Sequence, residues 1–534
     1  MKKYLVVGSL ALMVTGCFSE SGNSNSSFIK DTPTEDQTSQ NNPDNSTTNN
    51  SNNSTQNNTD NTVPDNSTVS TLNCPSNFEC YMLTVPKDYN DLSLGNVKVH
   101  FGMQKARVPS ERIGALVFNF GGPGGAAVDG AAYMASTELP KAITDKFDIV
   151  GIDPRGSGQS AFAKELTECS NSLLGSCESE YTEFAQYIGT NSLVKDIDSL
   201  RQALGDDKLN FLGYSYGTRV GALYAEMFPN QVRTLILDAP MPPNSQNAVD
   251  LFRDGALGRD IIATYRLKTP ARKAKLEAII EQIYNDGFYD DNHGNRLNAQ
   301  HVAPFLYDYL AARDNQGAWQ SVEQATFTFL DTDDASQLFN LISIPQSFNA
   351  KVGFNNEEDQ NRYNALFKAV VCTDEITPIT PSDVDNAKAE IEAMSKIYGV
   401  NDSNLAGFCS EWDNPRDPIA IVENMSNKLT GQDIMVIAGK YDDATPYIWG
   451  ESMERAFGTN ATFITIDNLV GHAFSYTSIP CLDEEVTHYI VNADIKTADK
   501  TCDVHQQNSN LGYGVKKLSP LDNIQGIGNF TERF

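Results

Sequence analysis

One serine of this chain lies in a setting that could make it a nucleophile. Residues 213–217 read Gly-Tyr-Ser-Tyr-Gly, which matches the G-x-S-x-G pattern of a serine held on a sharp turn between a strand and a helix. An apolar run, LNFLG, precedes Ser215, and a helical pattern, TRVGALYAEMF, follows it. We therefore expect the Ser215 hydroxyl to be held clear of the backbone.

A serine hydroxyl attacks a carbonyl efficiently only when a base takes its proton and a carboxylate orients that base. His472, in TIDNLVGHAFS, comes just after the last strong strand pattern. We choose it as the base over His293, His301 and His488, which lie in an insertion or in a helical pattern. A loop after that strand could bring His472 over Ser215.

The carboxylate follows another late strand, in VIAGKYDDATP. Asp442 comes first after the strand and is our choice, with Asp443 left open as the alternative. Asp238, in LILDAP, ends an earlier strand and is disfavoured. The chemistry implied is acyl transfer through a Ser215–His472–Asp442 triad.

Acyl transfer also requires hydrogen-bond donors for the oxyanion of the tetrahedral intermediate. The segment NFGGPGG ends an early strand pattern and can expose backbone N–H groups. We assign the oxyanion hole to the backbone N–H groups of Gly122 and Tyr216. A phosphate-binding loop is disfavoured because the segment lacks a Lys-Ser/Thr ending and contains Pro123.

The elements that must position these residues are short apolar runs alternating with helical patterns. ALVFNF, FDIVGI and TLILDA are continuously apolar, as expected for parallel strands that are covered on both faces. Patterns such as SLVKDIDSLRQAL separate them. The pattern predicts a doubly wound α/β domain with a mostly parallel sheet, in which ligands bind at the carboxyl ends of the strands.

A long insertion interrupts this sheet. From residue 244 to 430 the sequence is mostly helical and polar, and we predict a helical cap there. The core would then consist of residues 72–243 and 431–503, followed by a tail at 504–534. No cofactor is expected.

The chain begins with an export pattern. Residues 1–16 have two lysines and an apolar run too short to span a bilayer, so they predict a signal peptide. Val-Thr-Gly-Cys at its end resembles a bacterial lipobox, in which Cys17 would be lipidated. Residues 17–71 are rich in Asn, Ser and Thr and predict a disordered tether. Phe18 in place of Asp favours the outer membrane of a bacterial envelope.

Charge and cysteine content agree with an exported protein. The net charge of −29 disfavours binding to nucleic acid or to an anionic membrane surface, so membrane contact would come through the lipid alone. An even number of cysteines besides Cys17 favours disulfides. We expect near-neighbour pairing, and no zinc site because no paired CxxC occurs. The eight cysteines are Cys74, Cys80, Cys169, Cys177, Cys372, Cys409, Cys481 and Cys502.

NFGGPGG, DPRGSGQS, GYSYGTRVGALYAEMFP and GKYDDATP together resemble the proline iminopeptidase and tripeptidyl aminopeptidase branch of the α/β hydrolases. The chain order Ser215, Asp442, His472 is also the order of that fold. Phe120 stands where proline iminopeptidases have a histidine, which favours the tripeptidyl branch. The resemblance implies serine-dependent removal of short peptides from free N-termini.

An enzyme of that kind must bind the ammonium group of its peptide substrate, and a carboxylate in the cap would suit. Asp374, Glu375 and Glu411 lie beside cap cysteines and are the candidates. Two alternatives remain open: an esterase or lipase with the same triad, and a binding lipoprotein on an inactive hydrolase scaffold. The sequence leaves the oligomeric state undetermined.

Overall fold

The computed structural model describes residues 72–172, 177–343, 357–495 and 498–504. The predicted signal peptide, Cys17, the tether through residue 71 and the tail beyond residue 504 lie outside the described residues. None of the helices in the described ranges has the length and apolar character needed to span a membrane.

The core is one nine-stranded sheet with the order β1-β2-β4-β3-β5-β6-β9-β10-β11. The pairs β1–β2 and β2–β4 are antiparallel, and the remaining six neighbouring pairs are parallel. The strands β7 and β8 form a separate two-stranded hairpin. The strands are β1 Glu79–Pro86, β2 Asn96–Gln104, β3 Gly114–Asn119, β4 Phe147–Ile152, β5 Leu209–Tyr214, β6 Val232–Asp238, β7 Tyr289–Asp290, β8 Arg296–Leu297, β9 Ile434–Tyr441, β10 Ala461–Val470 and β11 Lys500–Asp503.

Helices connect these strands and form the insertion between β6 and β9. The α-helices are α1 Val128–Tyr133, α2 Lys141–Thr144, α3 Ala163–Ser170, α4 Tyr181–Phe184, α5 Thr190–Ala203, α6 Tyr216–Met227, α7 Ala248–Leu267, α8 Pro270–Asp286, α9 Ala299–Pro304, α10 Ala318–Thr332, α11 Ser336–Ser343, α12 Glu357–Asp374, α13 Pro381–Met394, α14 Gly399–Leu405, α15 Met425–Lys428, α16 Tyr447–Phe457 and α17 Pro480–Asn492.

The central strands lie in the interior of the protein because their residues are mostly apolar. Every residue of β3, β4 and β5 is buried, because both faces of the sheet are covered by helices. Apolar side chains form one cluster on each face of the sheet. The predicted doubly wound, mostly parallel α/β architecture is confirmed.

The insertion has a hydrophobic core of its own. Helices α7 to α11, with Ile397 and Tyr398 just before α14, bury side chains such as Ile280, Trp319 and Val322 against one another. This cluster is separate from the two clusters that flank the sheet. The side chains of α12 instead pack into one of the sheet's own clusters, together with residues of α7 and α13 such as Phe252 and Ile391. The insertion therefore has one part that packs on itself and another, which includes α12, that packs on the core.

Candidate active site

Ser215 lies on a tight bend between β5 and α6. Its backbone has φ 56° and ψ −123°, a region that costs a non-glycine residue about 1–3 kcal/mol and occurs where surrounding structure enforces it. A Cβ on Gly213 would lie 2.3 Å from the carbonyl oxygen of Gly217, and a Cβ on Gly217 would lie 2.6 Å from that of Asn119. Both glycines are therefore required for the bend, and Ser215 is partly exposed.

Asp442 and His472 face each other just beyond β9 and β10. The Nδ1 atom of His472 lies 3.0 and 2.9 Å from the two carboxylate oxygens of Asp442. Oδ1 of Asp442 also accepts the N–H groups of Ala444 at 2.9 Å and Thr445 at 2.7 Å. Both side chains are buried. The carboxylate is thus fixed in place, and with Nδ1 turned to it, Nε2 is the nitrogen available to a nucleophile.

Among the described residues, the Ser215 hydroxyl and His472 form no hydrogen bond. Hydrogen bonds between a nucleophile and its base are often long until a substrate binds. Asp238, which the sequence disfavours as the acid, links their two segments. Its carbonyl accepts the Ser215 N–H at 2.9 Å. Its carboxylate accepts the N–H groups of Phe474 and Ser475, the latter at 2.6 Å. Asp238 therefore ties the histidine loop to the serine bend, a role that a local sequence pattern does not indicate.

The glycine loop after β3 lies against the serine bend. A Cβ on Gly121 would lie 2.8 Å from the Cβ of Ser215. The N–H of Gly121 is occupied, because it donates to Oδ1 of Asn119 at 2.9 Å. No hydrogen bond within the described residues uses the N–H of Gly122 or of Tyr216. These two predicted oxyanion donors are therefore free at the edge of the bend.

Helix α12 of the insertion covers this loop. The hydroxyl of Tyr363 lies 3.1 Å from the position that a Cβ on Gly122 would occupy. Leu366 lies one turn further along α12, and its side chain would be 3.0 Å from a Cβ placed on Gly124. The sequence offers no signal for the contact of Tyr363 with the loop, because the two segments lie far apart along the chain.

A cavity of about 380 Å³ lies beside the loop and α12. Its walls include Gly124, Asp129, His100, Arg362 and Tyr363, and the triad candidates are not among them. His100 is paired within the core, since its Nδ1 lies 2.7 Å from Asp153. This cavity is therefore a neighbour of the candidate oxyanion hole and not the place where the nucleophile lies.

Asp443, the alternative acid, is engaged by another residue. It forms a buried ion pair with Arg313, with Nε 3.0 Å from Oδ1. A carboxylate engaged in this way neutralises the buried guanidinium, which would otherwise be strongly destabilising. Of the two adjacent aspartates, Asp442 is the one in contact with His472.

The structure contradicts two of the three carboxylates predicted to bind the substrate ammonium. Asp374 is buried and bonded to Thr190. Glu375 is also buried, and it accepts the N–H of Ala248 at 3.1 Å and Nη1 of Arg416 at 2.7 Å. Burial raises the pKa of each carboxyl to about 7. Asp374 and Glu375 therefore hold internal groups, whereas Glu411 is exposed and stays a prediction.

The four disulfides join Cys74 to Cys80, Cys169 to Cys177, Cys372 to Cys409 and Cys481 to Cys502. This is the near-neighbour pairing that the sequence predicts. The third disulfide fixes the carboxyl end of α12 to the segment after α14, and so anchors the helix that covers the glycine loop.

One group in the described residues has the composition of a metal site, namely Asp291, His293 and Asp334. Asp291 already accepts four N–H groups, from His293, Ala335 and twice from Asn295. Burial would raise the pKa of Asp291, but these bonds lower it to about 2. The carboxylate is thus the anchor of the β7–β8 turn. The triad candidates offer acyl-transfer chemistry that needs no metal ion.

Comparison with known families covers both halves of the site. Residues 114–338, which include Ser215, match the alpha/beta hydrolase fold. Residues 396–502, which include Asp442 and His472, match the TAP-like protein family.

Curated relatives match most of the chain. The chain is 27% identical over 474 residues to serine protease Hip1 of Mycobacterium tuberculosis (80% of this chain, 88% of that protein). It is 25% identical over 476 residues to the tripeptidyl aminopeptidase of Streptomyces lividans (81% and 85%). It is also 27% identical over 465 residues to carboxylesterase B of Mycobacterium tuberculosis (79% and 86%). These matches identify the chain as a serine peptidase with the α/β-hydrolase fold, similar in its C-terminal segment to the TAP-like proteins of the tripeptidyl aminopeptidase branch.

Proposed function

We propose that this protein is an exported serine exopeptidase that removes tripeptides or smaller units from free N-termini of peptides. The observation that carries the proposal is the contact between Asp442 and His472 at the ends of β9 and β10, in the same protein as the strained bend at Ser215. The serine protease and tripeptidyl aminopeptidase among its relatives support a peptide substrate.

The first half of the reaction forms an acyl-enzyme. The Ser215 oxygen attacks the scissile carbonyl carbon while Nε2 of His472 takes the hydroxyl proton. Asp442 stabilises the imidazolium through Nδ1. The negative charge that develops on the carbonyl oxygen is held by the N–H groups of Gly122 and Tyr216. His472 then gives its proton to the leaving amine nitrogen, the C–N bond breaks, and the released product carries a new N-terminus.

The second half regenerates the enzyme. His472 takes a proton from water, and the resulting hydroxide oxygen attacks the acyl carbon of the ester on Ser215. The same two N–H groups hold the second oxyanion. The proton returns from His472 to the Ser215 oxygen as the ester bond breaks, and the short N-terminal peptide leaves as a carboxylic acid. Each half therefore conserves the proton that His472 carries.

The experiment that tests the proposal uses peptides in matched pairs with free and acetylated N-termini. Mass spectrometry of the products should show removal of short units from the free peptides only, because an exopeptidase that acts at the N-terminus must recognise the ammonium group. The Ser215→Ala variant is the control for contaminating peptidases. Equal cleavage of the blocked peptides would contradict the aminopeptidase proposal.

A second candidate function, ester hydrolysis, is favoured by the carboxylesterase B relative. The same triad cleaves esters, which have better leaving groups than amides. Turnover of short acyl esters together with no turnover of tripeptidyl amides would establish the esterase and reject the peptidase. A binding protein on an inactive scaffold would show neither activity, and its serine would not react with a fluorophosphonate probe.

We also propose the cellular address that the sequence indicates. The enzyme would be attached by lipid at Cys17 to a bacterial envelope, with residues 17–71 as the tether. No interaction with nucleic acid is proposed, because the net charge of −29 would repel it.

A further inference from the structure

A chain of buried hydrogen bonds joins the end of α12 to the residue after the candidate nucleophile. The carboxylate of Asp374 accepts the N–H of Thr190 at 2.9 Å and, through its other oxygen, the Thr190 hydroxyl. Oγ1 of Thr190 lies 2.6 Å from the hydroxyl oxygen of Tyr216. Since the Thr190 proton is directed to Asp374, its oxygen is left to accept the proton of Tyr216. The three side chains are 3%, 0% and 3% exposed.

The carboxylate of Asp374 also caps a helix. Thr190 is the first residue of α5, and the residue before it, Gly189, has no side chain with which to cap the helix. Asp374 supplies the missing acceptor from another part of the chain, at the helix end where a negative charge is favoured. A Cβ on Gly189 would lie 2.9 Å from Oδ1 of Asp374. The carboxylate is therefore held in one position by packing as well as by its bonds.

Tyr216 has a special position in the site. It is the first residue of α6, directly after the strained Ser215, and its backbone N–H is a free donor. An oxyanion donor is effective only when it is held about 2.7–3.1 Å from the place where the charge develops. The side chain of Tyr216 extends into the core under the sheet's helices. Its hydroxyl bond to Thr190 therefore restrains the residue through its buried side chain.

Helix α12 thus reaches both candidate oxyanion donors. Near its start, Tyr363 lies against Gly122. At its end, Asp374 reaches Tyr216 through Thr190. The disulfide between Cys372 and Cys409 anchors the same end of the helix.

We propose that Asp374, acting through Thr190, is a positioning residue that holds the N–H of Tyr216 in the geometry needed for an oxyanion donor. The inference rests on the proposed catalytic roles of Ser215 and Tyr216. It does not depend on whether the substrate is a peptide or an ester.

The test measures labelling of Ser215 in the purified full-length protein by a fluorophosphonate probe, whose phosphoryl oxygen would enter the same oxyanion hole. Labelling is followed at several probe concentrations, which gives two separate values: the rate constant at saturation and the probe concentration at half that rate. Variants Tyr216→Phe and Thr190→Val each remove one hydroxyl with little change in volume. We expect each to lower the saturating rate about tenfold, with the half-saturating concentration within about twofold. The double variant should match the single ones, because both remove the same connection.

The matched control is Tyr224→Phe, on the same helix. Tyr224 is a buried tyrosine whose hydroxyl donates to Oδ1 of Asp198 at 2.9 Å. Its loss should lower the melting temperature to a similar extent and leave the saturating rate within about twofold. Equal saturating rates for Tyr216→Phe and Tyr224→Phe would overturn the inference.

Asp374→Asn is a further variant, and it removes the charge that caps α5. If Asp374→Asn fails to fold, Tyr216→Phe still tests the inference, since that variant leaves the bonds between Asp374 and Thr190 intact. Absence of labelling of the native protein would reject Ser215 as the nucleophile and this inference with it. Cleavage of blocked peptides would contradict only the proposed exopeptidase specificity.

Discussion

Asp238 accepts the N–H of Ser215 through its carbonyl oxygen at 2.9 Å, while its carboxylate holds the loop that carries His472. One buried residue at the end of β6 therefore connects the candidate nucleophile to the candidate base. Burial raises the pKa of this carboxyl to about 6, so its contribution to stability depends on pH.

The pH dependence of stability should show this carboxyl. The pKa of Asp238 is raised from 3.8 to about 6 in the folded protein. The folded state therefore binds this proton more tightly than the unfolded chain does. The stabilisation that comes from the protonated Asp238 is complete below pH about 4 and is lost as the pH rises through about 6. We expect the free energy of unfolding of the native protein, relative to Asp238→Asn, to decrease across this window. Urea titrations at several pH values measure it, and a difference that does not change with pH would contradict the expectation.

The two adjacent aspartates should behave differently. Asp442→Asn should lower the rate of substrate hydrolysis by about 10⁴, because the histidine loses the carboxylate that orients its tautomer. Asp443→Asn instead leaves Arg313 buried without its charge partner, so stability should decrease by about 3–5 kcal/mol. Its hydrolysis rate below the melting temperature should stay within about tenfold of native. Initial rates and thermal melts of both variants measure this contrast, and the reverse pattern would make Asp443 the acid.

The serine bend should tolerate no side chain at Gly217. A Cβ there would lie 2.6 Å from the backbone oxygen of Asn119, and backbone atoms of a central strand have little freedom to move. We expect Gly217→Ala to lower the free energy of unfolding by about 3 kcal/mol. Gly255→Ala is the control, since the three atoms nearest to its Cβ all belong to the guanidinium of Arg259, the closest at 3.1 Å. This side chain is buried and paired with Asp402, so it must shift slightly, but alanine gains about 1 kcal/mol over glycine inside helix α7. Gly255→Ala should therefore cost much less than Gly217→Ala, and equal losses in the two variants would contradict this account.

Each disulfide should stabilise the folded protein by an amount that depends on the length of the loop that it closes. Cys372 and Cys409 are 37 residues apart, whereas Cys169 and Cys177 are 8 apart. In the chain-entropy account the longer loop stabilises by roughly 4 kcal/mol and the shorter by roughly 2.5 kcal/mol. Paired Cys→Ser variants, compared by chemical denaturation, test the order. A larger loss for the 169–177 pair would show that entropy of the unfolded chain does not dominate here.

The proposed lipid anchor is testable at one residue. Cys17→Ser should abolish incorporation of labelled fatty acid and release the protein from the membrane fraction of expressing bacteria, because no other lipid attachment is proposed. The triad variant Ser215→Ala is the control and should remain in the membrane fraction. Retention of the Cys17→Ser protein in membranes would contradict lipid anchoring at this residue.

Much of the site follows from local sequence. The bend at Ser215 needs a strand, small residues and a helix in immediate succession, and all three are visible between residues 209 and 227. Asp442 and His472 could be chosen because each comes directly after an apolar strand, and the carboxyl ends of parallel strands meet at one edge of a sheet.

The carboxylates of the insertion show where such reasoning stops. Asp374 and Glu375 lie in a polar helical region, and nothing in the neighbouring sequence distinguishes a solvated acid from a buried one. Their partners, Thr190 and Arg416, come from segments whose proximity depends on how the insertion packs.

The sequence by itself determined the order of strands and helices, the serine bend and the residues at the strand ends, because periodicity and turn chemistry act over a few residues. Only the tertiary structure decided that Asp442 and not Asp443 faces His472, that Asp238 joins the two loops, and that Tyr363 of α12 lies on Gly122. These outcomes depend on contacts between distant segments, where burial and competition among charged partners select one arrangement.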